Sequence, residues 1–179
     1  MRRIAATAIF ALCLPPGAAF ACWEEAAQRY GVSPQLLYAM ARVESSLNPA
    51  AVNNSHRKST GTYDIGLMQV NSSHLPRLAR HGIKEADLYD PCTNIHVGAW
   101  LLADDFSRYG LSWEGVGAYN AACTQLRGKH CRDARAKYAW LVYRNLPTVL
   151  KPATASRIAA PAMHAENVYV PILAVRVAP

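Results

Sequence analysis

The stretch that decides the fold is SPQLLYAMARVESSLNP, residues 33–49. Ser33 followed by Pro34 is a typical helix start, because a serine side chain caps the first turn and proline suits the first helical position. Apolar side chains then recur at the three- and four-residue spacing of one helix face: Leu36, Met40, Val43 and Leu47. The Asn-Pro pair that closes the stretch stops the pattern. We therefore predict an amphipathic helix packed against a core.

Glu44 is the residue of this helix that could do chemistry. It lies one turn after Met40 and seven residues after Leu37, so it borders the apolar face. A carboxyl held against apolar side chains has a raised pKa, and it can stay protonated near neutrality as a general acid must. A glutamate near a helix end is more commonly a solvated surface residue, so the surrounding sequence has to decide between the two.

The rest of residues 22–146 predicts a mainly α domain. Residues 51–64 are polar and rich in Asn, Ser and Gly, which is typical of a long loop or a short hairpin, and residues 65–71 form a short apolar run. Capping and stop residues then predict four more helices. These begin at Ser72 or Ser73, Asp90-Pro91, Ser112 and Asp133, and they end at Gly82, Gly110, Asn120 and Leu146 respectively.

Residues 1–21, MRRIAATAIFALCLPPGAAFA, have the layout of a secretory signal peptide. Two arginines precede an apolar run, which a Pro-Pro-Gly breaks before a final Ala-Phe-Ala cleavage pattern. The apolar run is about 11 residues, well short of the ~20 that span a bilayer as a helix. We expect cleavage after Ala21 and export. An uncleaved membrane anchor and a lipid-modified Cys22 are the alternatives, and the bulky Phe20 argues against the second.

The length of 179 residues is enough for one domain and too short for two ordinary enzymatic domains. The formal charge of +7 falls to +5 once Arg2 and Arg3 leave with the signal peptide. Residues 147–179 are rich in Ala, Pro and Val and predict an extended or disordered tail, although VYVPILAVRVAP has the composition of a strand. The expected organisation is a signal peptide at 1–21, a helical domain at 22–146 and a tail at 147–179.

Four cysteines remain after the signal peptide, and an even number in an exported chain suggests two disulfides. Three pairings are open. We expect Cys123–Cys131 to close a short loop and Cys22–Cys92 to tie the mature N-terminus to the middle of the fold. Free thiols or a metal site are the alternatives, but no CxxC spacing supports zinc and the six histidines show no ligand spacing. We therefore predict no metal and no cofactor.

Three short motifs, in this order along the chain, resemble a known family: ES at 44–45, GLMQ at 66–69 and AYN at 118–120. Together with CWEEAAQRYGV, YDIGLMQVN and DPCTNI they resemble the lytic transglycosylases of bacterial cell walls. The similarity covers about residues 22–146 and is greatest to the small exported members that accompany type III and type IV secretion systems, conjugation machines and pili. It implies a mainly α fold like that of goose-type lysozyme, with a cleft for a glycan strand.

The resemblance also implies a reaction. In this family one glutamate serves as acid and then as base, and Glu44 matches it. The substrate would be a peptidoglycan glycan strand, cleaved between N-acetylmuramic acid and N-acetylglucosamine to leave a 1,6-anhydro end. A periplasmic location, a monomer and contacts with a secretion, conjugation or pilus apparatus follow by the same analogy. Nucleic acid is excluded as a partner because export and the lack of interleaved aromatic and basic residues both argue against it.

The remaining motif positions acquire roles from the same resemblance. Tyr119 matches a tyrosine beside the catalytic acid and the sugar N-acetyl group, the alternative being a core tyrosine. Gln69 and Met68 match cleft residues that would bond sugar amides and offer an apolar surface. The other expected cleft positions are Ser45, Asn53, Gly66, Leu67 and Asn120. We expect Ser45 to support Glu44, Gly66 to allow close approach of backbone, and Asn120 to bond backbone at its helix end.

Two features leave the chemistry open. Asn53 stands where better-known relatives carry a serine near the N-acetyl group, although an amide can still donate a hydrogen bond there. Asp64, just before GLMQ, is a candidate second carboxylate for a hydrolytic muramidase, which would use water; its alternative is a structural loop residue. A non-catalytic wall-binding assembly factor is the third interpretation of the function.

The basic residues between Arg127 and Arg144 indicate either a solvated helix face or attraction to peptidoglycan carboxylates.

Overall fold

The computed structural model describes residues 18–147. The predicted tail beyond residue 147 and the first 17 residues of the predicted signal peptide lie outside this part of the chain. The helices are α1 (Ala18–Tyr30), α2 (Pro34–Ser45), α3 (Arg57–Thr60), α4 (Leu75–Ala79), α5 (Pro91–Tyr109), α6 (Trp113–Asn120) and α7 (Gly128–Asn145). The strands are β1 (Val52–Asn53), β2 (Asp64–Ile65) and β3 (Val70–Asn71), and 3-10 turns cover Ser72–His74 and Glu85–Tyr89.

Helix α2 forms where the sequence predicts it. The Ser33 hydroxyl accepts a hydrogen bond from the backbone N–H of Leu36 at 3.3 Å, and Pro34 occupies the first turn. At the other end Ser46 adopts a left-handed conformation, with φ of 55°, and its N–H satisfies the last carbonyls of the helix. Leu37 and Met40 are fully buried. The apolar face of α2 therefore lies in the core and carries Glu44 at its last turn.

The polar region after α2 folds into a small antiparallel sheet, which is the hairpin alternative rather than a long loop. The strand order is β1-β2-β3, with Val52 opposite Ile65 and Asp64 opposite Asn71. The short helix α3 fills the turn between β1 and β2. The GLMQ motif forms the turn between β2 and β3, so the sheet places this motif beside the end of α2.

Two predicted helix boundaries are wrong. The helix after Ser72 is shorter than expected, because Asn71 rather than a serine caps the segment and Pro76 lacks the N–H that a continuous helix needs. A 3-10 turn and the five-residue α4 replace it. Helix α7 begins at Gly128 instead of Asp133. Asp133 lies inside the helix, where its carboxylate pairs with Lys129 one turn earlier at 2.6 Å.

Helix α5 is the centre of the core. It packs against α1 and α6, and α7 packs against both α6 and α2. Arg135 of α7 joins this packing and corrects the view of the basic stretch as a uniformly solvated face. The buried Arg135 guanidinium donates to the Ala121 carbonyl and to the Glu114 carboxylate, at 3.0 and 2.7 Å. It therefore fixes α7 against α6.

The four cysteines of the described region form the two expected pairs by geometry. The sulfur atoms of Cys22 and Cys92 lie at bonding distance, with their Cα atoms 5.3 Å apart, and so do those of Cys123 and Cys131, with Cα atoms 5.6 Å apart. Both Cα separations suit a disulfide. Across residues 18–147 no helix has both the length and the apolar character needed to cross a membrane.

Candidate active site

Glu44 and Tyr138 form the central contact of the site. The Tyr138 hydroxyl donates a hydrogen bond of 2.5 Å to one Glu44 carboxyl oxygen, across 94 residues of sequence. Tyr138 is buried on the inner face of α7, whereas Glu44 keeps part of its surface exposed at the end of α2. A buried tyrosine hydroxyl needs a partner, and here that partner is the carboxyl identified from the sequence as the candidate acid.

The surroundings of Glu44 raise its pKa from 4.5 to about 7. Burial is the largest cause, because a charged carboxylate loses its water of solvation there. The hydrogen bond from Tyr138 acts in the opposite direction by stabilising the carboxylate, and the negative charge of Asp64 raises the pKa further. The expected protonated glutamate is therefore present: near neutral pH a substantial share of Glu44 carries a proton.

Asp64 lies in β2 at the centre of a polar cluster. One oxygen accepts from the Asn71 amide at 2.7 Å and the other from the Asn53 amide at 3.1 Å. His56 stands 3.6 Å from the first oxygen. Both carboxylate oxygens are therefore engaged by the sheet, so Asp64 acts on Glu44 through its charge. The Asn53 amide, expected to face a sugar, donates to Asp64 instead.

The GLMQ turn is held by Asn94, a fully buried residue of α5. The Asn94 amide oxygen accepts from the Met68 N–H at 2.6 Å, and its amide nitrogen donates to the carbonyls of Ile65 and Leu88 at 3.0 and 2.7 Å. Gly66 makes this possible, because it has a φ of 76° and any Cβ would lie 2.3 Å from the Asn94 amide nitrogen. The close approach expected at Gly66 is thus to Asn94 and not to a ligand.

Leu67 and Met68 need correction as cleft residues. Met68 is fully buried, since its side chain packs into the space beside Gly98 of α5, and Leu67 is 5% exposed. Neither side chain offers a surface to a sugar. Their contribution is through the backbone: the Leu67 carbonyl accepts from the Ser45 hydroxyl at 2.7 Å, and the Met68 carbonyl accepts from Tyr119. Ser45 therefore joins the end of α2 to the turn.

Gln69 is held in a strained backbone conformation, with a φ of 49°. Its amide nitrogen donates to the Gly66 carbonyl within the turn at 2.8 Å and to the Ala51 carbonyl before β1 at 3.2 Å, so both N–H groups are used inside the protein. The amide oxygen is the group left to meet a ligand, which makes Gln69 an acceptor in the cleft rather than a donor.

Tyr119 lies at the end of α6, where Ser112 caps the helix through the Gly115 N–H at 3.2 Å. Its hydroxyl donates to the Met68 carbonyl at 2.8 Å. Burial raises the pKa of Tyr119 well above its usual value, and the negative charges of Glu44 and Asp105 add to that effect. Tyr119 thus lies within electrostatic range of the acid. Asn120, the next residue, is exposed, and in the described region its side chain makes no hydrogen bond to backbone.

A cavity of about 150 Å³ continues the site beyond Tyr119. Gln69 and Tyr119 line it together with charged residues of α4 and α5 and with apolar residues such as Leu101 and Ala118. Among residues 18–147, no group of His, Cys, Asp or Glu is arranged to hold a metal ion.

Sequence reasoning missed Tyr138 and Asn94 as residues of the site. Each is separated from its partner by many residues, and only the packing of α5 and α7 brings the pairs together. The available signals were weak: a polar asparagine on the apolar face of α5, and a tyrosine in the last helix whose buried hydroxyl would require a partner.

Comparison with known proteins agrees with this geometry. The model of the family described as "Transglycosylase SLT domain" matches residues 21–141. The chain is 43% identical over 129 residues to invasion protein IagB of Salmonella typhi, covering 70% of this chain and 76% of that protein. It is 40% identical over 124 residues to protein IpgF of Shigella flexneri, covering 69% and 77%. It is 42% identical over 140 residues to the X polypeptide of Escherichia coli K12, covering 78% and 79%.

Solved structures confirm the predicted lysozyme-like, mainly helical fold. An inactive mutant of the lytic transglycosylase Slt from Pseudomonas aeruginosa superposes with a TM-score of 0.56 at 22% identity, over 73% of this chain and 23% of that one. The soluble lytic transglycosylase SLT70 of Escherichia coli gives 0.50 at 19% identity, over 75% and 22%. This chain spans about a quarter of the length of those two enzymes, so they support the fold alone. Taken with the family match, the chain belongs to the SLT-domain lytic transglycosylases, enzymes that act on peptidoglycan.

Proposed function

We propose that this chain cleaves the bond between N-acetylmuramic acid and N-acetylglucosamine without water and leaves a 1,6-anhydro end. The observation that carries the proposal is the state of Glu44: a carboxyl with a pKa of about 7, oriented by Tyr138. Such a group can give a proton and take one back at neutral pH.

In the first step, protonated Glu44 gives its proton to the glycosidic oxygen. The bond from that oxygen to C1 of the muramic acid breaks, and its electron pair stays with the leaving N-acetylglucosamine. The oxygen of the same sugar's N-acetyl group forms a bond to C1 as the positive charge develops there, so that this charge passes to the acetamido group, as in substrate-assisted glycosidases. Glu44 is left as a carboxylate, which the Tyr138 hydroxyl stabilises.

In the second step, the Glu44 carboxylate removes the proton from the C6 hydroxyl of the muramic acid. The C6 oxygen attacks C1, the bond between C1 and the acetyl oxygen breaks, and the anhydro ring closes. Glu44 is protonated again, so the cycle consumes no water and needs no cofactor. One glutamate is sufficient because the two steps use its two protonation states in turn.

Neighbouring residues would orient the sugar. The Tyr119 hydroxyl donates to Met68, which leaves its oxygen free to accept from the N–H of the N-acetyl group. The Gln69 amide oxygen can accept from another sugar amide or hydroxyl. Asn53 and Ser45 act indirectly, since they are bonded to Asp64 and to the Leu67 carbonyl. Asn120 is exposed and available for contact with the glycan strand.

Mass spectrometry of released muropeptides tests the reaction. Anhydro products are lighter by one water than the reducing-end products of a muramidase. We expect anhydro ends from the wild type and none above background from Glu44→Gln. Release of reducing ends alone would establish the hydrolase, for which the charge of Asp64 near Glu44 is the favouring observation.

We further propose that the enzyme works in the periplasm as a monomer, after cleavage behind Ala21, with disulfides Cys22–Cys92 and Cys123–Cys131. N-terminal sequencing of protein recovered from the periplasm would begin at Cys22. A non-reducing peptide map should join the two named pairs. A map that joins Cys22 to Cys123 would refute the pairing, and a chain that begins at Met1 would refute the cleavage.

The enzyme would open the wall locally for a secretion, conjugation or pilus apparatus. Support comes from the relative in Salmonella that is called an invasion protein. The test is complementation of a strain lacking the gene by wild type or by Glu44→Gln, with assembly of the apparatus as the readout. We expect the variant to fail. Full assembly with Glu44→Gln would instead favour a non-catalytic, wall-binding assembly factor.

A further inference from the structure

Helix α7 has an outer face that carries exposed aromatic and apolar side chains. Trp140 is 59% exposed and Leu141, the next residue, is 40% exposed. The Trp140 ring stacks on Tyr143 with centroids 5.3 Å apart, and Trp113 of α6 packs edge-to-face with Tyr143 at 5.6 Å. These ring contacts hold Trp140 in a fixed orientation at the surface. Large exposed side chains that are fixed in this way mark a contact surface.

Basic side chains surround the two apolar ones. Lys137 lies one turn before Trp140 and Leu141, and Arg144 lies one turn after them. Arg132 lies about two turns before Trp140 on the same side of the helix. All three basic residues are exposed. The outer face of α7 therefore combines apolar area with positive charge, which distinguishes it from a helix face that is merely solvated.

The acidic residues next to this face are paired with basic partners. Asp133 is the one acidic residue in the sequence of α7, and Lys129 contacts it at 2.6 Å. Glu114, beside Trp113 at the start of α6, pairs with the buried Arg135 at 2.7 Å. The net charge that the outer face of α7 presents is therefore positive.

The outer face points away from the site around Glu44. Tyr138 contacts Glu44 from the inner face of α7. Trp140 lies about 200° further around the helix axis than Tyr138, because successive residues of an α-helix are about 100° apart. A molecule bound to the outer face would therefore leave the contact between Glu44 and Tyr138 in place.

The size and charge of the outer face indicate the kind of partner that fits it. A tryptophan buries at most about 250 Å², so Trp140 and Leu141 together offer far less than the ~1,200 Å² of a stable protein–protein interface. A second copy of this chain would also bring like charges together. A surface of anionic lipids suits both properties, because tryptophan is favoured at the level of the headgroups and basic residues are attracted to negative headgroups.

We propose that the outer face of α7 binds the surface of an anionic lipid bilayer. Trp140 and Leu141 enter at the headgroup level, and Arg132, Lys137 and Arg144 lie against the lipid phosphates. This contact holds the enzyme beside a membrane and leaves Glu44 available to its substrate. The inference is independent of the proposed reaction, since none of these residues takes part in it.

Binding of the full chain to lipid vesicles tests the inference. We expect co-sedimentation with vesicles of phosphatidylglycerol and phosphatidylcholine in equal parts, weakening as salt rises, and little with phosphatidylcholine alone. Trp140→Ala should lower the partition coefficient about tenfold and Lys137→Gln about fivefold. Val52→Ser and Lys58→Gln change an exposed apolar residue and an exposed lysine elsewhere, and they should bind like the wild type.

Tryptophan fluorescence tests which part of the chain enters the lipid. Lipids that carry bromine on their acyl chains quench a tryptophan at the boundary of the bilayer. We expect them to quench the wild type, and we expect most of that quenching to be lost in Trp140→Phe. Trp100→Phe removes a tryptophan of α5 and should keep the quenching of the wild type.

Three results would overturn the inference. The first is equal vesicle binding by the wild type and Trp140→Ala, or equal binding to both kinds of vesicle. The second is slower cleavage of lipid-free glycan strands by Trp140→Ala, which would assign the outer face to the substrate. The third is a lower molar mass in solution for Trp140→Ala than for the wild type, which would assign it to a second copy of the chain.

Discussion

A general acid must still hold its proton at the working pH, and this requirement explains the surroundings of Glu44. At pH 7 an ordinary glutamate with a pKa near 4.5 is almost entirely ionised, whereas a pKa of about 7 leaves about half of the molecules protonated. Burial supplies the upward shift. Tyr138 limits it, so that the same group can also exist as the carboxylate that the second step needs.

Removal of the Tyr138 hydroxyl should raise the pKa of Glu44. The hydrogen bond stabilises the carboxylate, so Tyr138→Phe makes ionisation less favourable. The limb of the kcat/KM profile that falls with rising pH should therefore move to higher pH, while kcat falls because the carboxylate of the second step loses its donor. Tyr143→Phe, on the same helix, is the control and should leave the profile in place. An unmoved limb in Tyr138→Phe would contradict this account of the contact.

Neutralisation of Asp64 should shift the profile the other way. Its negative charge raises the pKa of Glu44, so Asp64→Asn should move the alkaline limb to lower pH. Anhydro products should still form below that limb. A loss of cleavage by several orders of magnitude at every pH would instead identify Asp64 as a reacting carboxylate. Glu25→Gln removes a negative charge elsewhere and controls for net charge.

Glu44 should also make the fold less stable at alkaline pH. Its pKa is about 7 when folded and about 4.5 when unfolded, so the native state binds more protons between those values. The free energy of unfolding should fall as pH rises through that window, by at most about 3 kcal/mol. Glu44→Gln cannot ionise and should melt a few degrees above the wild type at pH 8, with little difference at pH 4. Parallel melting curves at both pH values would contradict the burial of the charge.

Residue by residue, the sequence was informative about Glu44 and uninformative about its partners. The position of Glu44 beside the apolar face of one helix is a local property, and it led directly to the raised pKa. Tyr138 became a partner only through the packing of α7 on α2. Met68 shows the opposite error: its place in a motif suggested a cleft surface, but tertiary packing against Gly98 buries it.

Among the elements, the turn between β2 and β3 has the most demanding construction. The Asn94 side chain of α5 satisfies two of its buried backbone groups, the Met68 N–H and the Ile65 carbonyl, and also donates to the Leu88 carbonyl of the neighbouring 3-10 turn. Buried polar groups that lose their partner are destabilising. The Met68 carbonyl of this turn accepts the hydrogen bond from the Tyr119 hydroxyl. The position of Tyr119, a candidate catalytic residue, therefore depends on Asn94.

Asn94→Ala should be strongly destabilising. It would leave the Met68 N–H and the carbonyls of Ile65 and Leu88 without their partner, at a cost of about 3 kcal/mol or more. Urea unfolding measures the change, and Asn54→Ala in the exposed turn after β1 is the control, with an expected effect within about 0.5 kcal/mol. A midpoint for Asn94→Ala equal to that of the control would show that the turn does not depend on this contact.

The elements that were predicted well are those whose ends carry local signals. Ser33, Asp90 and Ser112 each cap the helix expected of them. The start of α7 was placed five residues late, because Asp133 has the identity of a cap but is paired within the helix to Lys129. The sequence does not decide between a loop and a hairpin for the sheet region, because strands of two residues carry too little alternation to be recognised.

For the whole molecule, the compact helical part should be sufficient for catalysis. The family match ends at residue 141, and α7 ends at Asn145. A chain lacking residues 148–179 should therefore cleave glycan strands at the wild-type rate, measured by release of muropeptides. Loss of cleavage together with a lowered melting temperature would show that the last 32 residues belong to the fold.

The contact between Glu44 and Tyr138 determines at which stage of folding the chain can become active. The two residues are 94 positions apart, so their meeting is a long-range event that requires the last helix to dock on the second. Before docking, Glu44 is an ordinary solvated carboxylate, ionised at neutral pH and unable to act as an acid. The chain therefore becomes able to cleave glycan strands only when its tertiary structure is complete. During synthesis or export it lacks this activity, which it gains when α7 docks on α2.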